Sequence, residues 1–457
     1  MPRLLTLALV VGSTAWTTAV TAEPLPLRVA TFRVDVTPPL GSPLCNGNVK
    51  PALKIATPLT ARGLVMLGAK RPIVVCALDW VGIGNESHTA FRQALADAVA
   101  TDIDRVAVHC LHQHDAPGSD LTAERILREH GLEGRFSNPE FDVAAIDRVA
   151  RAARECLPRA RPVTAIGLGA AKVERVASNR RILGDNGKVV LQRQSSGGRN
   201  PKARSAPEGT IDPLVRTAVF WNEETPLAAL TWYATHPQSY YGQGEVNWDF
   251  VGIARELRET ALPDVPHIHF NGASGNVAAG KYNDGAKENR LELARRLADG
   301  MRRAWESQHK QPLLAADVQW ATQPVTLPVR DTLREDELLR KVADDSADVR
   351  ARLRAARDLS FVRRMQAGPP ITLACWKLGS ASVLHMPGEL FVEYQLAAQQ
   401  LRPRDFVAMA AYGDYSPGYI GTAVAYGQGG YETGPVSRVA PTVERTLLTA
   451  VQELLEK

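Results

Sequence analysis

Arg105-Val106-Ala107-Val108-His109-Cys110-Leu111-His112-Gln113-His114-Asp115-Ala116-Pro117-Gly118 is the stretch around which the chain is organised. A β-branched run that enters two histidines and halts at Pro-Gly predicts a strand whose C-terminal end opens into a loop. Alternate side chains of a strand share a face, so this spacing predicts that His112 and His114 reach one point in space. Two imidazoles so placed suit a metal ion or an acid–base pair, although lone histidines in strands are mostly satisfied core or surface residues.

Outward from this stretch, strand and helix signals alternate. Upstream, Leu27 to Val36 alternates like a strand, and Leu64–Leu67 and Ile73–Asp79 read as short buried strands. Asp79 closes its run, where a carboxylate is either functional or, more commonly, a cap or turn residue. Residues 86–100 and 139–157 have helical periodicity, and Asn179-Arg180-Arg181 precedes a polar stretch, 184–211, that reads as a mobile surface loop. Two further strands, 215–221 and 227–234, follow, and the second delivers Thr235-His236-Pro237 at its end. A helix from Asp249 to about Leu262, a strand at 267–270 and a helix at 286–305 come next, then a charged segment, 331–366, that reads as a solvated helical hairpin. Strands over 370–386 end in Pro387-Gly388-Glu389, with the glutamate expected to start a helix. A strand at 406–411, a Gly/Tyr-rich stretch at 412–434 and a helix from Ser437 close the chain. No linker or internal repeat divides it. The pattern predicts an α/β fold, with mixed β-sheets packed between helices in a single large catalytic domain over residues 23–457.

Composition narrows the function. A hydrophobic fraction of 45% is ample for a large core. Residues 1–22 have the charged, apolar and small-residue regions of a signal peptide, with cleavage expected after Ala22, which points to a secreted or periplasmic protein. Removing Arg3 with that segment takes the formal charge from +5 to +4, without a basic block of the kind nucleic acid requires. The five cysteines, Cys45, Cys76, Cys110, Cys156 and Cys375, lack CxxC spacing and read as buried thiols, with at most one or two disulfides.

Four strand ends offer a ligand: His112, His236, Glu389 and a tyrosine of the Gly/Tyr-rich tail. Two imidazoles, a carboxylate and an open position are the usual protein shell of a catalytic zinc, which lowers the pKa of bound water to roughly 7 and polarises a carbonyl. On spacing alone, unrelated loop residues are an equal reading.

The motifs then point to a family. His112-Gln113-His114-Asp115-Ala116-Pro117-Gly118 resembles the His-x-His-Ser-Gly-Pro-Gly motif of the neutral/alkaline, non-lysosomal ceramidases. Trp232-Tyr233-Ala234-Thr235-His236-Pro237, Asp249 to Gly252, Pro387-Gly388-Glu389, Asn179-Arg180, and Tyr419 followed by Tyr431-Glu432 resemble further motifs of that family in the same order. The resemblance implies that His112, His236, Glu389 and Tyr419 hold Zn2+, with His114, Arg180 and Tyr431 lining the reaction centre. It implies an exported hydrolase of sphingolipid or other N-acyl amide bonds, whose partner is a small-molecule or lipid substrate. Peripheral membrane contact is compatible with such a substrate, and oligomeric state is left open.

Two departures qualify the resemblance. The family places a proposed nucleophilic serine in Gly-Asp-Val-Ser-Pro, where this chain has Gly275-Asn276-Val277-Ala278-Ala279. Ser274 is near, but Gly-Ala-Ser-Gly is not a nucleophile elbow. The sequence ends at Lys457, so the family's C-terminal immunoglobulin-like domain is expected to be lacking. The expectation is therefore a zinc-dependent amidohydrolase that uses metal-activated water. The alternatives are an esterase or deacylase on another acyl substrate, and a zinc-retaining binding protein that has lost catalysis.

Overall fold

The computed structural model describes residues 26–457; the signal-peptide expectation lies outside them. Three sheets carry the fold, and each contains one parallel pair. The first orders its strands Val106–Cys110, Ile73–Leu78, Thr60–Leu67, Arg28–Asp35 and Arg161–Pro162. The second runs His267–Asn271, Thr225–Tyr233, Leu214–Asn222, Ala165–Lys172 and His309–Pro312, and the third Val318–Val325, Ile371–Leu378, Ala381–His385 and Phe406–Ala410. The remaining neighbours within each sheet are antiparallel.

Parallel strands need a crossover, and here each crossover contains a helix. Asn85–Val99 links Ile73–Leu78 to Val106–Cys110, Asp249–Ala261 links Thr225–Tyr233 to His267–Asn271, and Val392–Leu401 links Ala381–His385 to Phe406–Ala410. In open α/β sheets, ligands bind beyond the carboxyl ends of such strands. The C-terminal ends of these three units, six strands in all, carry the residues that matter below.

The sheets share one core. Met66 and Val75 of the first, Phe220 and Ile268 of the second, and Trp376 and Val383 of the third belong to a single buried apolar cluster. Phe220 stacks on Trp376 at 5.9 Å, and His109 meets Phe270 edge-on at 5.8 Å. The helices Asn85–Val99 and Pro139–Cys156 cover the other face of the first sheet, and Val392–Leu401 and Val443–Glu456 that of the third. No helix among the described residues is long and apolar enough to cross a membrane.

The α/β class, the mixed sheets and most elements follow the sequence expectation; several local readings do not. His112 and His114 do not share a strand face, because the strand stops at Cys110 and His112 turns into the left-handed region at φ 74°. Glu389 begins no helix: Glu389–Leu390 pairs in parallel with Tyr419–Ile420, and the helix starts at Val392. The closing helix likewise starts at Val443, not Ser437. The polar stretch 184–211 is ordered. It contains the hairpin Arg181–Leu183 with Val189–Gln192 and a short helix, Pro201–Ser205, gathered around the buried Arg193, whose guanidinium donates to the carbonyls of Asn179, Ala203 and Pro207. The charged hairpin, Glu335–Ala343 and Val349–Ala367, is only half solvated, since Leu353, Leu359 and Val362 pack with Leu127 and Phe136. All five cysteines are buried and free.

Asp79 is structural. Its carboxylate receives the guanidinium of Arg255 at 2.8 and 3.0 Å and the hydroxyl and amide of Thr60, all in the interior. Burial alone would raise this carboxyl, but Arg255, with Arg62 and Thr60, outweighs it and holds the group below the usual carboxylate range. Asp79→Ala, which strands a buried guanidinium, is expected to cost about 3–5 kcal/mol in denaturant titration. Because the folded pKa is depressed, the advantage of wild type over Asp79→Asn should be full above about pH 4, near the unfolded carboxyl's pKa, and fade as the pH falls through the lower folded pKa.

Candidate metal centre and cleft

His112, His236 and Glu389 converge in the interior, one from each sheet, with a donor atom of each lying within 4.8 Å of the others. Glu389 Oε2 is 3.2 Å from His112 Nε2 and 3.1 Å from His236 Nε2. The hydroxyl of Tyr419 is 3.1 Å from His236 Nε2. Glu389 and Tyr419 are register partners in their short parallel ladder, which sets the two side by side.

Each donor is aimed by a group from the other strand end of its own parallel pair. His112 Nδ1 donates to the carbonyl of Val81 at 2.6 Å, and Val81 follows the strand that pairs with Val106–Cys110. His236 Nδ1 donates to the carbonyl of Ser274 at 2.7 Å, and Ser274 follows the strand paired with Thr225–Tyr233. Glu389 Oε1 accepts from the Tyr415 hydroxyl at 2.8 Å, and Tyr415 follows the strand paired with Ala381–His385. A carbonyl can only accept, so each imidazole carries its proton on Nδ1 and turns a bare Nε2 lone pair inward.

This arrangement is what a cation requires. Two nitrogen lone pairs and a carboxylate oxygen face one another, and the buried His112 Nε2 has no hydrogen-bond partner even with Glu389 at 3.2 Å. Ligands of a tetrahedral zinc, at about 2.0–2.2 Å from the ion, lie roughly 3.3–3.6 Å apart, close to the observed separations. The donor atoms of His112, His236 and Glu389 could hold a metal ion.

The surrounding charges are settled internally. Arg180 donates to the Tyr419 hydroxyl at 3.0 Å and to Gln194 Oε1 at 3.2 Å, and its Nε lies 3.2 Å from the fully buried Glu432. Burial alone would lower the guanidinium's pKa, but Tyr419 and Glu432 hold it above the ordinary value. Burial, with His112 and His236 beside it, holds the His114 imidazole well below its usual range, which keeps it neutral.

A cleft of about 300 Å³ opens over the centre. His114 lines it, 5.1 Å from the His112 ring and 4.6 Å from Tyr241, with its Nδ1 unpartnered. Tyr431, 47% exposed, stands at the mouth, 5.7 Å from the Tyr419 ring. Cys45 also lines the cleft, but burial pushes its thiol to about 12, which removes it as a nucleophile. All seven site residues named from the sequence therefore gather in one place. Sequence reasoning missed Tyr415, Tyr412, which stacks on His112 at 4.7 Å, and the role of Glu432; the Gly/Tyr-rich composition of 412–434 was the available signal. Ser274 is spent on structure, its hydroxyl 2.8 Å from that of Tyr412 and its carbonyl on His236. Ala278 is wholly buried between Ser178 and His236.

No family model matches the chain, and no curated protein does. Among solved structures, a "Ceramidase complexed with C2" is similar, at 16% identity and a TM-score of 0.68 over 94% of this chain and 76% of that one. The neutral ceramidase of Pseudomonas aeruginosa is similar at 16% identity and a TM-score of 0.68, over 95% of this chain and 75% of its own. The chain thus has the neutral ceramidase fold, as the motif resemblance implied. A metal ion loaded onto the protein is expected to be largely lost from His112→Ala and from His236→Ala in elemental analysis after dialysis, because removing one of three buried donors forfeits a large share of the binding free energy.

Proposed function

We propose that this protein is an exported, zinc-dependent amidohydrolase that cleaves N-acyl bonds. The observation that carries the proposal is the buried His112–His236–Glu389 group, with both Nε2 atoms fixed inward and the donor set open to a cleft of about 300 Å³. The fold shared with the ceramidases agrees with it. A zinc ion bound there supplies Lewis-acid polarisation of the acyl carbonyl and acidifies a water toward a pKa of about 7.

The chain's own residues then have assignable tasks. Ala278 has no hydroxyl and Ser274 is hydrogen-bonded in the interior, so the attacking group is water admitted by the cleft. His114, which lines the cleft with an unpartnered Nδ1, takes up the proton released on attack and returns it to the departing amine. Arg180 keeps the Tyr419 hydroxyl in place through its 3.0 Å bond, and Tyr431 at the mouth stabilises the charge that develops on the carbonyl oxygen.

His114→Ala should keep its zinc and lose about 10²- to 10⁴-fold in kcat on N-acyl amides, measured by release of the free amine. Loss of metal in that variant would make His114 a ligand instead. Wild type should turn over its best amide, lose turnover on chelation and regain it with zinc. Ala278→Ser, which adds a hydroxyl to a closed interior, should change the rate little and cost about 1–3 kcal/mol of stability. A silent wild type with an active Ala278→Ser variant would refute water attack.

A further inference from the structure

The helix Val349–Ala367 sends three arginines into the cleft. Arg350, Arg354 and Arg357 are spaced four and three residues apart, which puts them on one helix face, and all three line the cavity over the metal centre. The charged hairpin contains five more arginines between 334 and 364, and each has a carboxylate partner: Arg334 and Arg340 with Asp336, Arg352 with Asp345, Arg363 with Glu335, and Arg364 with Asp414. Among the described residues, Arg350, Arg354 and Arg357 are paired with none. The unpaired arginines of this hairpin are therefore the ones that face the site.

Arg357 is also held in place. Its guanidinium lies 5.3 Å from the Phe136 ring centre and 5.4 Å from that of Tyr415, the residue whose hydroxyl aims Glu389. Stacking restrains a planar guanidinium while leaving its N–H edge free for a planar anion. The other arginines at the centre are already neutralised, Arg438 by Asp358 at 2.7 Å and Arg180 by Glu432. Among the described residues, Glu389 is the sole carboxylate lining the cleft, against Arg350, Arg354, Arg357 and Arg438, and it belongs to the candidate metal group. Such a cleft concentrates anions.

We infer that the substrate is an N-acyl amide bearing an anionic group, a carboxylate or a phosphate, away from the scissile bond, and that Arg350, Arg354 and Arg357 bind that group. This rests on the amidohydrolase reading for the bond that is cleaved, but not for the binding of the anion. Charge-assisted, bidentate contacts of this kind are each strong enough to change affinity by about tenfold or more.

The test measures binding and turnover separately on matched pairs that differ only in charge. N-dodecanoylglycine is compared with N-dodecanoylglycinamide, and O-phospho-N-dodecanoylethanolamine with N-dodecanoylethanolamine, by titration calorimetry and by amine release. Wild type is expected to favour at least one charged member by about tenfold or more, with the preference shrinking as salt is raised. Which pair shows it identifies carboxylate or phosphate. Arg354→Glu, at an exposed position, should bring the charged-to-neutral ratio close to one, and Arg357→Gln should lower it; near-UV circular dichroism reports that each variant is folded. An unchanged ratio in folded Arg354→Glu would assign the preference to direct anion binding at the metal and overturn the inference, as would equal affinity for both members of both pairs or no binding at all. Arginine-dependent binding without cleavage of any amide would leave the assignment of the three arginines to anion binding standing and refute the amidohydrolase. Cleavage of neutral amides as fast as charged ones would do the reverse.

Discussion

His236 can present Nε2 to the centre only because Nδ1–H is bound to the carbonyl of Ser274, and that carbonyl is where it is because Ser274 leaves the strand lying parallel to the one that delivers His236. The same dependence holds for His112 on Val81 and for Glu389 on Tyr415. A parallel pair places two chain ends side by side at the same edge of a sheet, so one end supplies a donor atom and its neighbour supplies the group that orients it. Three such pairs, from three sheets, bring three donor residues together from segments far apart in sequence.

For three sheets to aim at one point, they must be fixed to one another just beneath it. A buried histidine pair does part of this: His109 of the first sheet lies with Nε2 2.9 Å from His385 Nδ1 of the third, while its Nδ1 is 2.8 Å from the Ala411 carbonyl. Burial lowers His109 to about 3 and His385 well below its normal range, so the pair is a neutral hydrogen bond and not a charge in the core. Phe270 of the second sheet closes against the His109 ring. Short ladders, Glu389–Leu390 with Tyr419–Ile420 and Ser178–Asn179 with Val277–Ala278, then join the loops above.

Legibility of the sequence followed the range of the forces involved. The strands with runs such as Ile73–Leu78 and the helices with apolar periodicity were readable because burial of one face imposes a period on neighbouring residues. The donors His112, His236 and Glu389 were readable because each closes an apolar run. Tyr415 was not, because its task is set by a contact with Glu389, 26 residues away, and nothing local marks it. The segment 184–211 misled for a related reason: its polar groups read as solvated, yet Arg193 bonds them to one another inside the fold. The pairing of Arg180 with Glu432 is likewise long-range and invisible to periodicity.

His112 shows how a failed local rule marks the site. A non-glycine residue at φ 74° is strained, typically by about 1–3 kcal/mol, and a strand-face reading has no place for it. The strain persists because every polar group of the residue's backbone and its Nδ1 are held. His112 N donates to the Trp80 carbonyl at 2.8 Å, its carbonyl accepts from Gln238 Nε2 at 3.2 Å, and Nδ1 donates to Val81. Extended backbone would have continued the strand past Leu111 and carried the imidazole along the sheet edge. The left-handed turn instead ends the strand and swings the ring over Tyr412 to face Glu389, which leaves Nε2 as the one unsatisfied polar atom of the residue. The fold thus commits three hydrogen bonds to a strained residue and turns its remaining buried nitrogen toward Glu389 and His236, an arrangement that could hold a metal ion.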